Sequence, residues 1–227
     1  MEFYSHADRD KSGVITYRKK LKEHFSGVAE AMCDIIQHSP LQDREEIYDI
    51  GRIVGLCHDF GKYTKYFQGY LLNNINYGGK KNHGFISALF SSYQAQRFSG
   101  SNEYIPLFVY LMVLHHHGDL KNMEADLPSA REDEAKEKID ILKIQLEDIK
   151  RNIGDIKHEY SEMDKTIDVD GFMENWEEFY GQLCRSKFVY LNKKPIYGKT
   201  KIKDSLYMLF VYSDLKVSGK PDAGRDK

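Results

Sequence analysis

The chain has 227 residues, 41% hydrophobic and 30% charged, which suffices for one substantial core and makes a single globular domain the default expectation. Its 33 lysines and arginines against 35 aspartates and glutamates leave a formal net charge of -2, which excludes attraction to polyanions by the molecule as a whole and confines any nucleic-acid groove to a local patch. Three scattered cysteines, Cys33, Cys57 and Cys184, form no CxxC pair and no disulfide framework, and nothing in the sequence has the apolar length of a membrane span, so a cytoplasmic protein is expected.

From Leu21 onward, Leu21, Phe25, Val28, Met32 and Ile35 recur at three- and four-residue steps and predict an amphipathic helix with His24 flanking its apolar stripe. The stretch from Glu45 to Phe60 repeats the pattern through Ile50, Ile53, Val54, Cys57 and Phe60, with Gly61 as its stop and His58 and Asp59 on its last turn. Phe67 and Gln68 are expected to pack a loop that follows. A third helix is predicted from near Asn82, with His83, Ile86, Phe90 and Tyr93 on one face. Pro106 suits a first helical position, and the apolar run Leu107 to Leu114 predicts a helix buried nearly all round, ending at His115, His116, His117 and Gly118.

Beyond Asp119 the chain becomes charged, and Ile139, Leu142, Leu146, Ile149, Ile153, Ile156, Tyr160 and Met163 form a heptad seam. The seam predicts a long helix or helical hairpin packed on the body, with homodimerisation through it as the alternative. Two more helical stripes follow, Phe172, Trp176, Phe179 and Leu183, then Ile202, Leu206, Leu209, Phe210 and Val217, with Asp214 beside the second. Tyr190 to Thr200 reads as the loop between them. The expected organisation is an all-α domain over 1–218, carrying a charged helical insertion over 121–165, and a tail or linker over 219–227. No phosphate-binding loop of the Walker type is present, so ATP hydrolysis is not expected of the chain.

Imidazole and carboxylate together suit divalent first-row metals, and a catalytic site gathers several while leaving room for water and substrate. His58 and Asp59 diverge by about 100° at a helix end, so one carboxylate can serve two ions while the imidazole binds one. A His-Asp dipeptide is weak evidence alone, and His24 or His83 taken singly reads better as a hydrogen-bonded core histidine. Collectively, however, His24, His58, Asp59 and Asp214 fall on or beside inward-facing stripes, where ionisable groups are costly unless paired or metal-bound. Lys62, three residues after Asp59, is placed to offer a positive charge to a phosphate oxygen. Lys80, Lys81, Lys193, Lys194, Lys199, Lys201 and Lys203, interleaved with Tyr77, Tyr190 and Tyr197, are the local candidates for contact with a nucleic-acid strand.

A helix-borne His, a His-Asp dipeptide and a distant Asp occur here in order as His24, His58, Asp59 and Asp214, and this order resembles the HD phosphohydrolases. HDFGK at His58 to Lys62, YFQGYL at Tyr66 to Leu71, HHG at His116 to Gly118 and YSD at Tyr212 to Asp214 resemble more specifically the HD nuclease domain of the type I CRISPR-associated helicase-nuclease. The resemblance implies an HD-domain helical bundle with two divalent ions, drawn from manganese, iron, nickel, cobalt and zinc. One ion would be held by His24, His58, Asp59 and Asp214, the other by Asp59, His83, His116 and His117. Asp59 would be shared, His115 would stand outside, and His6 matches no ligand position. It further implies cleavage of single-stranded DNA, with RNA as a second substrate, alongside a helicase subunit or domain and a guide-RNA surveillance complex. The generic four-residue motif also fits a nucleotide or cyclic-nucleotide phosphohydrolase, and the heptad segment also fits a non-catalytic, metal-containing adaptor.

Overall fold

A computed structural model describes residues 2–38, 44–98, 104–117 and 132–192, together with 214 and 217. Among these residues the fold is helical apart from one small two-stranded sheet, a mostly all-α architecture as expected. Strands β1 (Tyr4–Arg9) and β2 (Ile15–Lys20) pair antiparallel. Their turn is closed by Asp10, whose carboxylate accepts from the Ser12 and Val14 amides, and by Gly13 at φ +86°, a conformation that strains side-chain-bearing residues. The strands carry no clean apolar alternation, and only Ser5 of β1 is fully buried, so period-two reasoning has nothing to detect.

Helix α1 (Leu21–His38) buries Leu21, His24, Phe25, Val28, Ala29, Met32, Cys33 and Ile36, the face its periodicity predicts except that Ile36 takes the inward place expected of the half-buried Ile35. It packs on α2 (Arg44–Cys57) so closely that a Cβ on Gly55 would lie 2.5 Å from the Ala29 backbone. Helix α2 ends at Cys57, short of the predicted Phe60, and Phe60–Tyr63 forms a 3-10 turn instead. Gly61 is therefore not a left-handed helix stop. It is small because a Cβ there would lie 2.4 Å from Ile86 and 2.8 Å from His83.

The expected loop around Phe67 and Gln68 is helix α3 (Lys65–Asn73). Thr64 caps its start by accepting from the Phe67 amide, and Asn74 ends it in the left-handed region at φ 55°. After a 3-10 turn at Gly78–Lys81, α4 (Gly84–Gln96) begins just past His83, and α5 (Ile105–Leu114) buries every residue from Ile105 to Val113.

The heptad region is two helices, α6 (Glu132–Arg151) and α7 (Ile153–Met163), interrupted at Asn152. Leu142, Leu146, Ile149, Ile156 and Tyr160 of the seam are buried in the chain's own core, so this seam is spent within the molecule. Helix α8 (Val169–Asn192) runs through Tyr190, where a loop was expected. The predicted stripe Ile202 to Phe210 lies outside the described residues. Stacked and edge-on rings, among them Phe60 on Phe90 at 3.8 Å and Phe90 on Phe172 at 5.1 Å, link the 3-10 turn, α4 and α8 into one aromatic floor. Among the described residues no helix is long and apolar enough to cross a membrane.

Candidate metal centre

Two helix pairs aim chemistry at one point. The close crossing at Gly55 brings the first turn of α1, with His24, against the end of α2, where His58 and Asp59 lie in the turn just past Cys57 rather than on the helix's last turn as expected. The α4–α5 pair does the same with opposite ends, since His83 sits at the N-cap of α4 and His116 and His117 follow the last residue of α5. Ser87 of α4 accepts from the Gly61 amide at 2.9 Å, locking the turn after Asp59 onto the second pair.

His24, His58 and Asp214 form one buried group of convergent ligand atoms, and Asp59, His83, His116 and His117 form a second that opens to solvent at the exposed His117. In the first, His24 Nε2 lies 3.1 Å from His58 Nε2 and 3.2 Å from Asp214 Oδ1. Asp59 Oδ2 lies 3.2 Å from His24 Nε2 and 3.4 Å from His58 Nε2, which joins Asp59 to this group as well. In the second, Asp59 Oδ1 is 3.1 Å from His83 Nε2 and 3.3 Å from His116 Nε2, while His83 and His117 meet at 3.0 Å. The two oxygens of one carboxylate thus face different groups. His115 belongs to neither.

These distances suit an ion. Ligands held about 2.1 Å from one metal stand roughly 3.0 to 3.4 Å from each other in octahedral or tetrahedral arrangement. Asp59 Oδ2 is buried without an aligned hydrogen bond, although Lys62 Nζ approaches to 2.7 Å as an ion pair. Facing nitrogens at 3.0 and 3.1 Å need a proton or a cation between them. Carbonyls also orient two of the rings, since His58 Nδ1 meets Gly55 O at 2.9 Å and His116 Nδ1 meets Val113 O, leaving Nε2 for a ligand role. The buried cluster can therefore hold a metal ion.

Electrostatics separate the two groups in the metal-free chain. Burial opposes charge on His58, but Asp59, with Asp214, overrides it and raises this imidazole to about 10. Burial lowers His83 to about 4 and His117 to about 3, which leaves both neutral with lone pairs ready at physiological pH. Burial works against ionisation of Asp59 and Asp214 too. Lys62 and His58 nevertheless hold Asp59 well below the usual carboxylate range, and His24 and His58 do the same for Asp214.

Lys62 has a different immediate partner from the phosphate oxygen expected of it. Its ammonium, 2% exposed, spends its charge on Asp59 and lies 3.4 Å from Ser5 O and 5.2 Å from the centre of the Phe67 ring. Gln68 is structural, bonding the Tyr4 amide, the Tyr4 carbonyl and the Lys62 carbonyl. His6, set aside at the sequence level, stands edge-on to His24 with ring centres 5.0 Å apart. A polar residue on a short hairpin has no periodic signal to announce this.

Of the strand-contact candidates, Lys80, Lys81 and Tyr77 come together with Tyr66 and Tyr70 on α3 and the adjoining turn. Lys80 lies over Tyr66 at 5.9 Å, Lys81 over Tyr70 at 4.2 Å, and Lys65 over Tyr66 at 5.0 Å. Lys193, Lys194, Lys199, Lys201, Lys203 and Tyr197 lie outside the described residues, and Tyr190 is described only as backbone in α8. Comparison with family models, with curated proteins and with solved structures finds no match.

Proposed function

We propose that the chain is a divalent-metal-dependent phosphodiesterase that cuts single-stranded nucleic acid, DNA foremost. The observation that carries this reading is Asp59, whose two oxygens face two separate histidine groups at 3.1 to 3.4 Å. That division is the donor arrangement a two-ion site needs. His24, His58, Asp59 and Asp214 would hold one ion, and Asp59, His83, His116 and His117 the other. Bound divalent ions supply polarisation of a phosphoryl oxygen and a strong nucleophile near neutral pH, and imidazole with carboxylate accepts manganese, iron, nickel, cobalt or zinc.

The protein's own groups prepare the site. Lys62 keeps Asp59 ionised and fixed, which sets the separation of the two ligand groups. His83 and His117 stay neutral, so they present lone pairs without first losing protons. The tyrosine-lysine face of α3 adjoins the second group, because Phe67 of α3 packs edge-on against His83 at 5.0 Å. Aromatic faces beside lysines favour a flexible polyanion whose bases can stack, which supports a single strand over a mononucleotide. The HDFGK, FQGYL, HHG and YSD motifs support the same chemistry, and with it the proposal that a helicase and a guide-RNA surveillance complex deliver the strand.

Purified protein loaded with manganese and offered either labelled single-stranded DNA or a panel of nucleotides and cyclic nucleotides tests the proposal. Strand cleavage abolished by His58→Ala is the expected result. Nucleotide turnover without strand cleavage overturns it in favour of a nucleotide phosphohydrolase, and metal binding with neither activity favours an adaptor.

A further inference from the structure

The N-terminal hairpin is tied to the metal centre by the residues that follow Asp59. Gln68 donates to Tyr4 O at 2.9 Å, accepts from the Tyr4 amide at 3.2 Å, and donates to Lys62 O at 2.8 Å. Lys62 Nζ reaches Ser5 O. Between them these contacts hold both Tyr4 and Ser5, so the next residue of β1, His6, has a fixed position beside His24.

Its hydrogen bonds then define which ring nitrogen is available. Ser5 is 1% exposed, and its hydroxyl donates to Lys19 O at 3.3 Å. A hydroxyl has one proton, so toward His6 Nδ1, 3.1 Å away, Ser5 Oγ is an acceptor. The tautomer that matches this donation carries the hydrogen on Nδ1 and the lone pair on Nε2. Among the described residues no partner takes that lone pair, and His6 lies outside both ligand groups. His24 is the titratable group in edge-on contact with its ring, and Lys62, Asp59 and Asp214 act on it electrostatically. A side chain serving only to pack against His24 would gain from being apolar, whereas this half-buried ring stands beside His24 with its Nδ1 engaged by a buried serine.

We infer that His6 is a further residue of the active centre, accepting a hydrogen bond through Nε2 from the water that attacks the phosphodiester and so orienting it. The inference rests on the phosphodiesterase reading above. In the step it serves, the water oxygen forms the new P–O bond and the ester P–O bond breaks with its electron pair on the departing oxygen. That oxygen is protonated, and the proton lost by water passes to solvent. His6 positions the water without being consumed or retained in another state.

The full-length chain loaded with manganese, in wild-type, His6→Leu, His6→Gln and Ser5→Ala forms, provides the test. Glutamine places an oxygen acceptor near the position of Nε2, and leucine fills the space without one. On a labelled single strand, His6→Leu is expected to lower kcat about 100-fold with KM within about twofold, since misplacing a reacting group by about 1 Å can cost about 10²-fold. His6→Gln is expected to recover most of that loss, and Ser5→Ala to cost a few-fold by freeing the ring. Manganese per chain and melting temperature should match wild type in all three. Unchanged kcat in an active His6→Leu overturns this inference alone. So does loss of manganese in step with activity, because His6 would then act through the ligands. A wild-type chain that cleaves nothing overturns both this inference and the reading it rests on.

Discussion

Asp59→Asn removes one charge and leaves the shape nearly intact. Asp59 is 1% exposed and lies 2.7 Å from Lys62, itself 2% exposed. At that distance Coulomb attraction is about 6 kcal/mol for an effective dielectric constant near 20, of which desolvation takes back part. Removing one partner of such a pair costs about 3–5 kcal/mol, a large share of the 5–15 kcal/mol that holds a typical domain together. The variant should thus melt well below wild type, and far-UV circular dichroism will show whether it remains folded at the assay temperature. Functionally, asparagine offers one oxygen where two are used and turns an N–H₂ donor toward one histidine group. Both groups should then lose affinity for ions, and hydrolysis should fall by at least about 10³-fold, roughly 4 kcal/mol of transition-state stabilisation. Activity on a labelled single strand and on bis(p-nitrophenyl) phosphate, with manganese counted per chain by mass spectrometry, reads both effects. A folded variant that keeps both ions and more than about a tenth of wild-type activity would refute the shared-carboxylate reasoning. Loss of a single ion would show that Asp59 serves only one group.

The metal-free chain should be most stable near neutral pH. Burial depresses His83 to about 4, so the unfolded chain takes up a proton near 6.5 that the folded chain refuses. That contribution, on the order of 3 kcal/mol, is present above 6.5 and lost as pH falls towards 4. His58, raised to about 10 by Asp59 and Asp214 against its burial, contributes below 6.5 and loses that contribution as pH rises to 10. Melting temperatures in EDTA from pH 4 to 10 should trace a dome, and a flat profile would contradict the assignment. For the tyrosine-lysine face, Tyr70→Ala with Lys81→Ala should raise the Kd for a labelled single strand tenfold or more, at about 1–3 kcal/mol per stacked base, and reduce its salt dependence. Turnover of bis(p-nitrophenyl) phosphate should not change, and equal losses on both substrates would count against a strand-binding role. Asp148, 3% exposed, accepts from the Lys65 amide at 2.7 Å and so fastens α6 to the start of α3. Asp148→Ala should cost about 1–3 kcal/mol in chemical denaturation while leaving the metal content unaltered.

Apolar patterning by itself determined the helices that carry or flank the ligands, because burial against a common core imposes a 3.6-residue repeat on α1, α2 and α4 and makes α5 a continuous apolar run. It determined too that His24, His58 and Asp59 face inward, and the heptad seam announced that the charged region would pack along one line. Only the tertiary structure decided where those lines meet. Nothing local in the sequence says that Gly55 lets α1 and α2 cross close enough to join His24 to His58, that Gly61 is small for the sake of His83, or that the seam is consumed inside the chain. Lys62 looked like a free charge until its distance to Asp59 made it the carboxylate's partner. His6 was invisible for the same reason in its plainest form. A hairpin with no apolar alternation leaves no pattern, and the contact of His6 with His24 is made across the fold, where spacing along the chain carries no information.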